Sequence, residues 1–162
     1  MNATSEMERR LLRHTVATLA YRVGKALGNA PASFPRFRAV PGSRTPEEIL
    51  AHMGDLFDWA LALADGKHAW HDSKPLPWDQ EVSRFFTALE AFDRRLASDA
   101  KLGFPAGKLF QGPIADALTH TGQLALLRRL AGAPIRGENY FRAEIAAGRA
   151  GRQQAAPVQE FD

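Results

Sequence analysis

The chain has 162 residues, 45% of them apolar and 24% charged, and no cysteine. That is the length of one domain and the composition of a folded chain, and the missing thiols exclude disulfides, thiolate metal sites and a cysteine nucleophile, leaving His, Asp and Glu for any metal. Lys and Arg number 21 against 18 acids, a net charge of +3, and the basic pairs Arg9-Arg10, Arg94-Arg95 and Arg128-Arg129 share no one face, so nucleic acid is not an expected partner.

The first ten residues are polar and charged, without the apolar stretch of a secretory leader, and no run reaches the ~18 apolar residues of a membrane span. A cytoplasmic location without membrane contact is the expectation. The first helix is expected from about Ser5 to Leu27, where Met7, Leu11, Thr15, Thr18, Leu19, Val23, Ala26 and Leu27 recur at helical spacing and Gly28-Asn29 supplies a stop. A loop punctuated by Pro31, Pro35, Pro41 and Gly42 leads to Thr45-Pro46-Glu47-Glu48, a capping box with proline at the first helical position. The second helix carries the stripe Ile49, Met53, Leu56, Ala60 and Leu63 and ends near Asp65-Gly66. After a connection from Lys67 to Pro77, a third helix is expected over about Asp79 to Ala100, with Val82, Phe85, Phe86, Leu89, Phe92 and Leu96 as central core. Leu102 to Gln111 reads as a further connection. Gly112-Pro113 then reads as the opening of a fourth helix whose stripe is Ala117, Leu124, Leu127 and Ala131, closed by Gly132.

Four helices without a strand pattern between them give an all-α, antiparallel four-helix bundle over residues 1–134. Residues 135–162 form a C-terminal extension. Glu138 to Ala147 reads as a short fifth helix or as irregular chain, and Gly148 to Pro157 as loose. Tyr140, Phe141, Ile145, Val158 and Phe161 are too apolar for a solvated tail, so the extension is expected to pack on the bundle or on a partner chain.

Polar residues interrupt the core stripes at three places. His52 lies three residues after Ile49 and four before Leu56, on the buried stripe of the second helix. Asp116 and His120 are four apart, one turn from each other on one face of the fourth helix. Two imidazoles and a carboxylate are competent ligands for a divalent first-row metal, and three protein donors leave positions open for water or substrate. Asp55 follows His52 by three residues and Gln123 follows His120 by three, placing each to orient a ligand; Asp55 is also the nearest candidate for acid–base work. Beside this stands the plainer reading of a hydrogen-bonded core histidine, a first-turn aspartate suited to the helix dipole and an ordinary Asp–His pair. His68 and His71, flanking Trp70, read as surface histidines, and Trp59, Trp70 and Trp78 as anchors of core and loops or as the rim of a pocket.

Two segments carry a likeness to a known family. One is Thr45-Pro46-Glu47-Glu48-Ile49-Leu50-Ala51-His52; the other runs from Asp116-Ala117-Leu118-Thr119-His120-Thr121-Gly122-Gln123-Leu124 through Leu127-Arg128-Arg129-Leu130-Ala131-Gly132. From about Met7 to Gly132 the chain resembles the DinB/YfiT-like superfamily of metal-dependent bacterial proteins. The resemblance implies an up-down-down-up bundle, often a homodimer, with a metal near one end. Its ligands are a His in the second helix and a His-x-x-x-His pair in the fourth. His52 and His120 match, and Asp116 stands where the first His of the pair is usual. That departure moves the set toward two His plus one carboxylate, which suits iron, nickel or manganese as well as zinc. The resemblance further implies a small-molecule substrate and, in some members, a low-molecular-weight thiol cofactor. The function expected is therefore a divalent-metal-dependent transferase or hydrolase. The alternative is a non-catalytic dimerisation or partner-binding domain whose metal site is lost or structural, with Arg128, Arg129 and the aromatic tail as interface.

Overall fold

A computed structural model of the chain describes residues 3–161, so Met1, Asn2 and Asp162, the outer ends of the two expected segments, lie outside the described residues. Helix α1 spans Ala3–Leu27, α2 Pro46–Ala64 and α3 Trp78–Ala97; a last rod runs as α4 (Ala106–Leu109), a π turn (Phe110–Ile114) and α5 (Ala115–Leu130). The fold is all-α, a bundle of these four rods.

The capping box forms as its residues dictate: the Thr45 hydroxyl accepts from the Glu48 amide at 3.3 Å while Glu48 Oε2 accepts from the Thr45 amide at 2.7 Å. The whole expected stripe of α2 is buried, as is that of α3. Phe57 packs edge-on against Phe85 with ring centroids 5.9 Å apart, at the middle of the core.

Arginines at the helix ends report how the rods are laid together. Arg9, near the start of α1, donates to the carbonyls of Leu96 at 3.2 Å and Ser98 at 2.8 Å, so α1 begins where α3 ends. Arg84, early in α3, reaches Ala51 O at 3.2 Å, and Arg95, at its end, reaches Ala64 O at 2.7 Å, so α2 and α3 run side by side in the same direction. Arg128, at the end of α5, donates to Ala26 O and Gly28 O, both at 2.9 Å, so α1 and α5 end together. The order is up-down-down-up. A parallel α2–α3 pair obliges the chain to return along a 20-residue helix, about 30 Å. Residues 65–77, at about 3.3 Å each when extended, cover that distance, which is why this connection is long.

Arg128 is 4% exposed and donates to carbonyls at and just beyond two helix ends, Ala133 O among them at 2.8 Å. The expectation that it serves an interface is corrected by that burial. Arg128→Ala is expected to destabilise the fold by about 2–4 kcal/mol, the sum of several charged hydrogen bonds lost at once, read as a lower urea midpoint.

Two sequence expectations need correction and one open alternative is decided. On α1, Leu19, Val23, Ala26 and Leu27 are buried as expected, but Met7 and Leu11 are 72% and 66% exposed, and over the first half of the helix Leu12 and Val16 are buried instead. Arg9, inserted against the end of α3, lies on the same inward side as Leu12 and Val16. Second, the last rod begins at Ala106, ahead of Gly112-Pro113. Pro113 has no amide to give Leu109 and its ring crowds that turn; the π turn absorbs it, with the Ala115 amide bonded back to Phe110 O. Third, of the two readings of Glu138 to Ala147 the irregular one holds and no α-helix forms. Gly137–Glu138 (β1) pairs antiparallel with Glu160–Phe161 (β2), and Tyr140–Arg142 is one 3-10 turn. Extended chain is needed there because Glu138 and Glu160 converge on α1: Glu138 accepts from Tyr21 Oη at 2.6 Å and Lys25 Nζ at 2.7 Å, and Glu160 from Lys25 Nζ at 2.8 Å. Burial, and then the Glu138 hydrogen bond, hold the Tyr21 phenol far above its ordinary range. The extension thus lies along α1, with Ala150 in the core. Among the described residues no helix is long and apolar enough to cross a membrane.

Candidate metal centre

The stripe of α2 that buries Ile49, Met53 and Leu56 also carries His52 inward, to an intermediate depth. The π turn ends directly before α5, so it sets the rotation at which Asp116 and His120 leave the rod. Asp116 sits in the first turn of α5. Antiparallel packing of α2 on α5 brings the three side chains together. Asp116 Oδ2 lies 3.5 Å from His52 Nε2, and Asp116 Oδ1 lies 3.4 Å from His120 Nε2. One donor atom from each of the three falls within 4.8 Å of the other two.

Those spacings are longer than the ~2.7–3.2 Å of a good hydrogen bond. They approach the edge of a tetrahedron about an ion held at roughly 2.1 Å, which is about 3.4 Å, with a different oxygen of Asp116 facing each ring. The donor set therefore fits a divalent ion.

The protonation state fits as well. Gln123 Oε1 lies 2.8 Å from His120 Nδ1; a carbonyl oxygen there accepts a hydrogen bond from Nδ1–H and leaves Nε2 as the lone-pair atom facing the cluster. Burial, and then the charge of nearby His120, push the His52 imidazole below its ordinary value, with Asp116 opposing in part. The His52 ring is thus disposed to be a neutral ligand at neutral pH. Gln123→Ala frees the His120 ring and is expected to weaken metal affinity about 10- to 100-fold, measured by competition with a chromophoric chelator.

Asp55 has other commitments. It is 2% exposed, accepts from the Ser73 amide at 2.8 Å and pairs with Arg84. Burial alone would raise its pKa, but the Ser73 amide and Arg84 outweigh that and hold the carboxyl below its ordinary value. Its hydrogen bonds among the described residues go to neither His52 nor His120, and an ionised, fully engaged carboxylate is a poor proton acceptor. His71 Nδ1 lies 3.4 Å from Asp55, and His71 Nε2 lies 3.3 Å from Asp58. Both carboxylates come from α2, far from His71 in sequence, a signal that spacing could not carry. His68 is exposed, packed edge-on against Trp59.

Trp70 covers the His52 side of the cluster, its ring edge-on to His52 at 5.5 Å and to Trp59 at 5.7 Å, with Nε1 donating to Asp72 at 3.2 Å. Trp78 instead packs on Phe34 in the core. Two clefts open beside the cluster. One, of about 350 Å³, touches His52 between the loop preceding α2 and the connection 65–77; the other, of about 430 Å³, touches His120 and Gln123.

An all-α bundle with a His-Asp-His cluster between two clefts is the class that fold and site define. Comparison of the chain with protein-family models, with curated proteins and with solved structures gives no match. What the cluster does must therefore be argued from its own chemistry.

Proposed function

We propose that the chain is a divalent-metal-dependent enzyme acting on a small molecule, with His52, Asp116 and His120 as the ligands. The observation that carries this reading is the convergence of those three donors, at 3.4 and 3.5 Å, beside two open clefts. A structural ion is commonly closed off by four protein ligands; three suit a catalytic one. A bound divalent ion supplies Lewis acidity there, lowering the pKa of a coordinated water or thiol, and the reaction classes are hydrolysis and thiol-dependent transfer. In that work His52 and His120 present their Nε2 atoms, Gln123 holds the His120 ring, Asp116 adds a carboxylate oxygen, and Trp70 shields the His52 side from water. Two His and one carboxylate suit zinc, nickel, iron or manganese.

Membership of the DinB/YfiT-like superfamily belongs to the same proposal, and with it a low-molecular-weight thiol and a homodimer. The up-down-down-up order and the positions of His52 and His120 support it. The second reading, a non-catalytic domain that dimerises or binds a partner, is favoured by one feature: exposed Leu11 and Phe110 line a groove of about 490 Å³ between α1 and α4.

Elemental analysis tests the metal site on which the enzyme reading stands. Wild type and a His52→Ala/His120→Ala variant are incubated with zinc, nickel, manganese and anaerobic ferrous iron, desalted and checked for helicity. One ion per wild-type chain and none in the folded variant is the expected result. A metal-free wild type sinks the enzyme reading and leaves the partner-binding one.

A further inference from the structure

The two clefts beside the cluster share Ser43 and Arg44 but differ in chemistry. In the His52 cleft the other charges already have partners: Arg38 pairs with Glu48 at 3.5 Å, Asp55 with Arg84, and Asp72 accepts from Trp70. The His120 cleft is walled by Ile49, Leu126, Leu127 and Leu130. His120, Gln123, Leu127 and Leu130 recur at spacings of three and four along α5, so the apolar wall continues directly from a donor of the cluster. Leu126 and Leu130 are each 55% exposed, apolar surface that an occupant would remove from water. Arg44 is the one Lys, Arg, Asp or Glu in that lining. It is exposed and makes no hydrogen bond or ion pair among the described residues.

These facts restrict what the cleft can hold. An occupant covering the leucines also strips water from Arg44. A neutral occupant would leave that guanidinium unpaired beside apolar walls, which is unfavourable. A carboxylate answers it with two parallel hydrogen bonds. The geometry points to a small amphiphilic monoanion as the ligand of this site, its carboxylate beside Arg44 at the cluster and its hydrocarbon body along α5 over Leu126 and Leu130. This rests on the metal-site reading for its catalytic meaning and on the cleft alone for binding.

The test is calorimetric titration of the folded chain with straight-chain carboxylates from butanoate to decanoate, on zinc-loaded and on metal-free protein. Affinity is expected to rise about two- to fourfold per methylene until the wall ends. Arg44→Gln is expected to weaken every member of the series about 10-fold or more. Leu126→Ser/Leu130→Ser flattens the dependence on chain length. Both variants alter exposed side chains, so helicity and zinc content stay at wild-type values. Affinity indifferent to chain length, or unchanged in Arg44→Gln, overturns the inference. Failure to take up zinc sinks the metal reading alone, because both dependences are also read on the metal-free chain.

Discussion

Asp116→Ala lowers zinc affinity by about a hundredfold or more while leaving the fold in place. Its side chain is 46% exposed and its contacts to His52 and His120, at 3.5 and 3.4 Å, are too long to be strong ion pairs, so the metal-free protein loses little, within about 0.5 kcal/mol. The loss appears once an ion must be held, because two imidazoles remain where three donors converged; even losing a residue that only orients a ligand weakens affinity about 10- to 100-fold. Asp116→His keeps a donor at the position and shifts preference from manganese toward zinc, since imidazole suits the softer ion. Competition titrations with the two metals read both effects. If Asp116→Ala binds zinc as wild type does, the carboxylate is no ligand and the three-donor site is overturned.

The same cluster sets a pH dependence. Burial and then His120 hold the His52 imidazole below its ordinary value, which in an unfolded chain is about 6.5. As pH falls through that ordinary value, the unfolded chain takes up a proton that the folded one refuses, so stability is lost on acidification and is fully present above it. Thermal unfolding of metal-free protein between about pH 5 and 7.5 reads this slope, and His52→Gln flattens it.

How much of this was legible depends on how far each signal reaches along the chain. The capping box at Thr45 and the inward turn of His52 are local, set by neighbours within one turn, and both hold. The i, i+4 relation of Asp116 and His120 is local too; that His52 meets them follows only once the long connections give an up-down-down-up order. Pro113 shows how a local signal fails. It carries the mark of a helix start, yet Ala106 to Leu109 already form helix, and the π turn that admits the proline leaves no trace in the periodicity. Met7 and Leu11 fail for a different reason. Two apolar rows were available over the first half of α1, and the inward one is shared with Arg9, whose carbonyl partners lie some ninety residues away at the end of α3; Leu19, Val23, Ala26 and Leu27 hold as expected. The fifth helix is lost to the same kind of contact, since Lys25 and Tyr21 draw Glu138 into extended chain. Asp55 is the case closest to function. Its spacing from His52 suits an orienting partner, but its engagement is with Arg84 on another helix and with the backbone of a loop, neither of which has a periodic signature.

Arg84→Met is expected to destabilise the fold by about 3–5 kcal/mol, because it strands buried carboxylates. Asp55 is 2% exposed and Glu81 fully buried. Arg84 pairs with Asp55, with Asp58 at 2.8 Å and with Glu81 at 3.0 Å, and these partners hold its guanidinium above its already high range against the opposing effect of burial. Gly54 makes room for this arginine: a Cβ at that position would lie 2.8 Å from its Nη1. The two buried carboxylates also reach past Arg84 to the connection 65–77, Asp55 taking the Ser73 amide and Glu81 the Leu76 amide, both at 2.8 Å. The ion cluster therefore fixes the segment that lays Trp70 on His52, and Arg84→Met is expected to expose Trp70 as well, seen as a red shift of its emission in Trp59→Phe/Trp78→Phe protein. Asp58→Asn, at a carboxylate 41% exposed, is expected to lose about 1 kcal/mol or less. Adding Asp55→Asn to Arg84→Met recovers part of the loss, since a neutral amide in place of the stranded charge removes the largest penalty. Urea denaturation of the three variants decides the matter. A variant Arg84→Met as stable as wild type would mean that Asp55 and Glu81 are held by the loop amides alone, and that Trp70 owes its place over His52 to packing against Trp59.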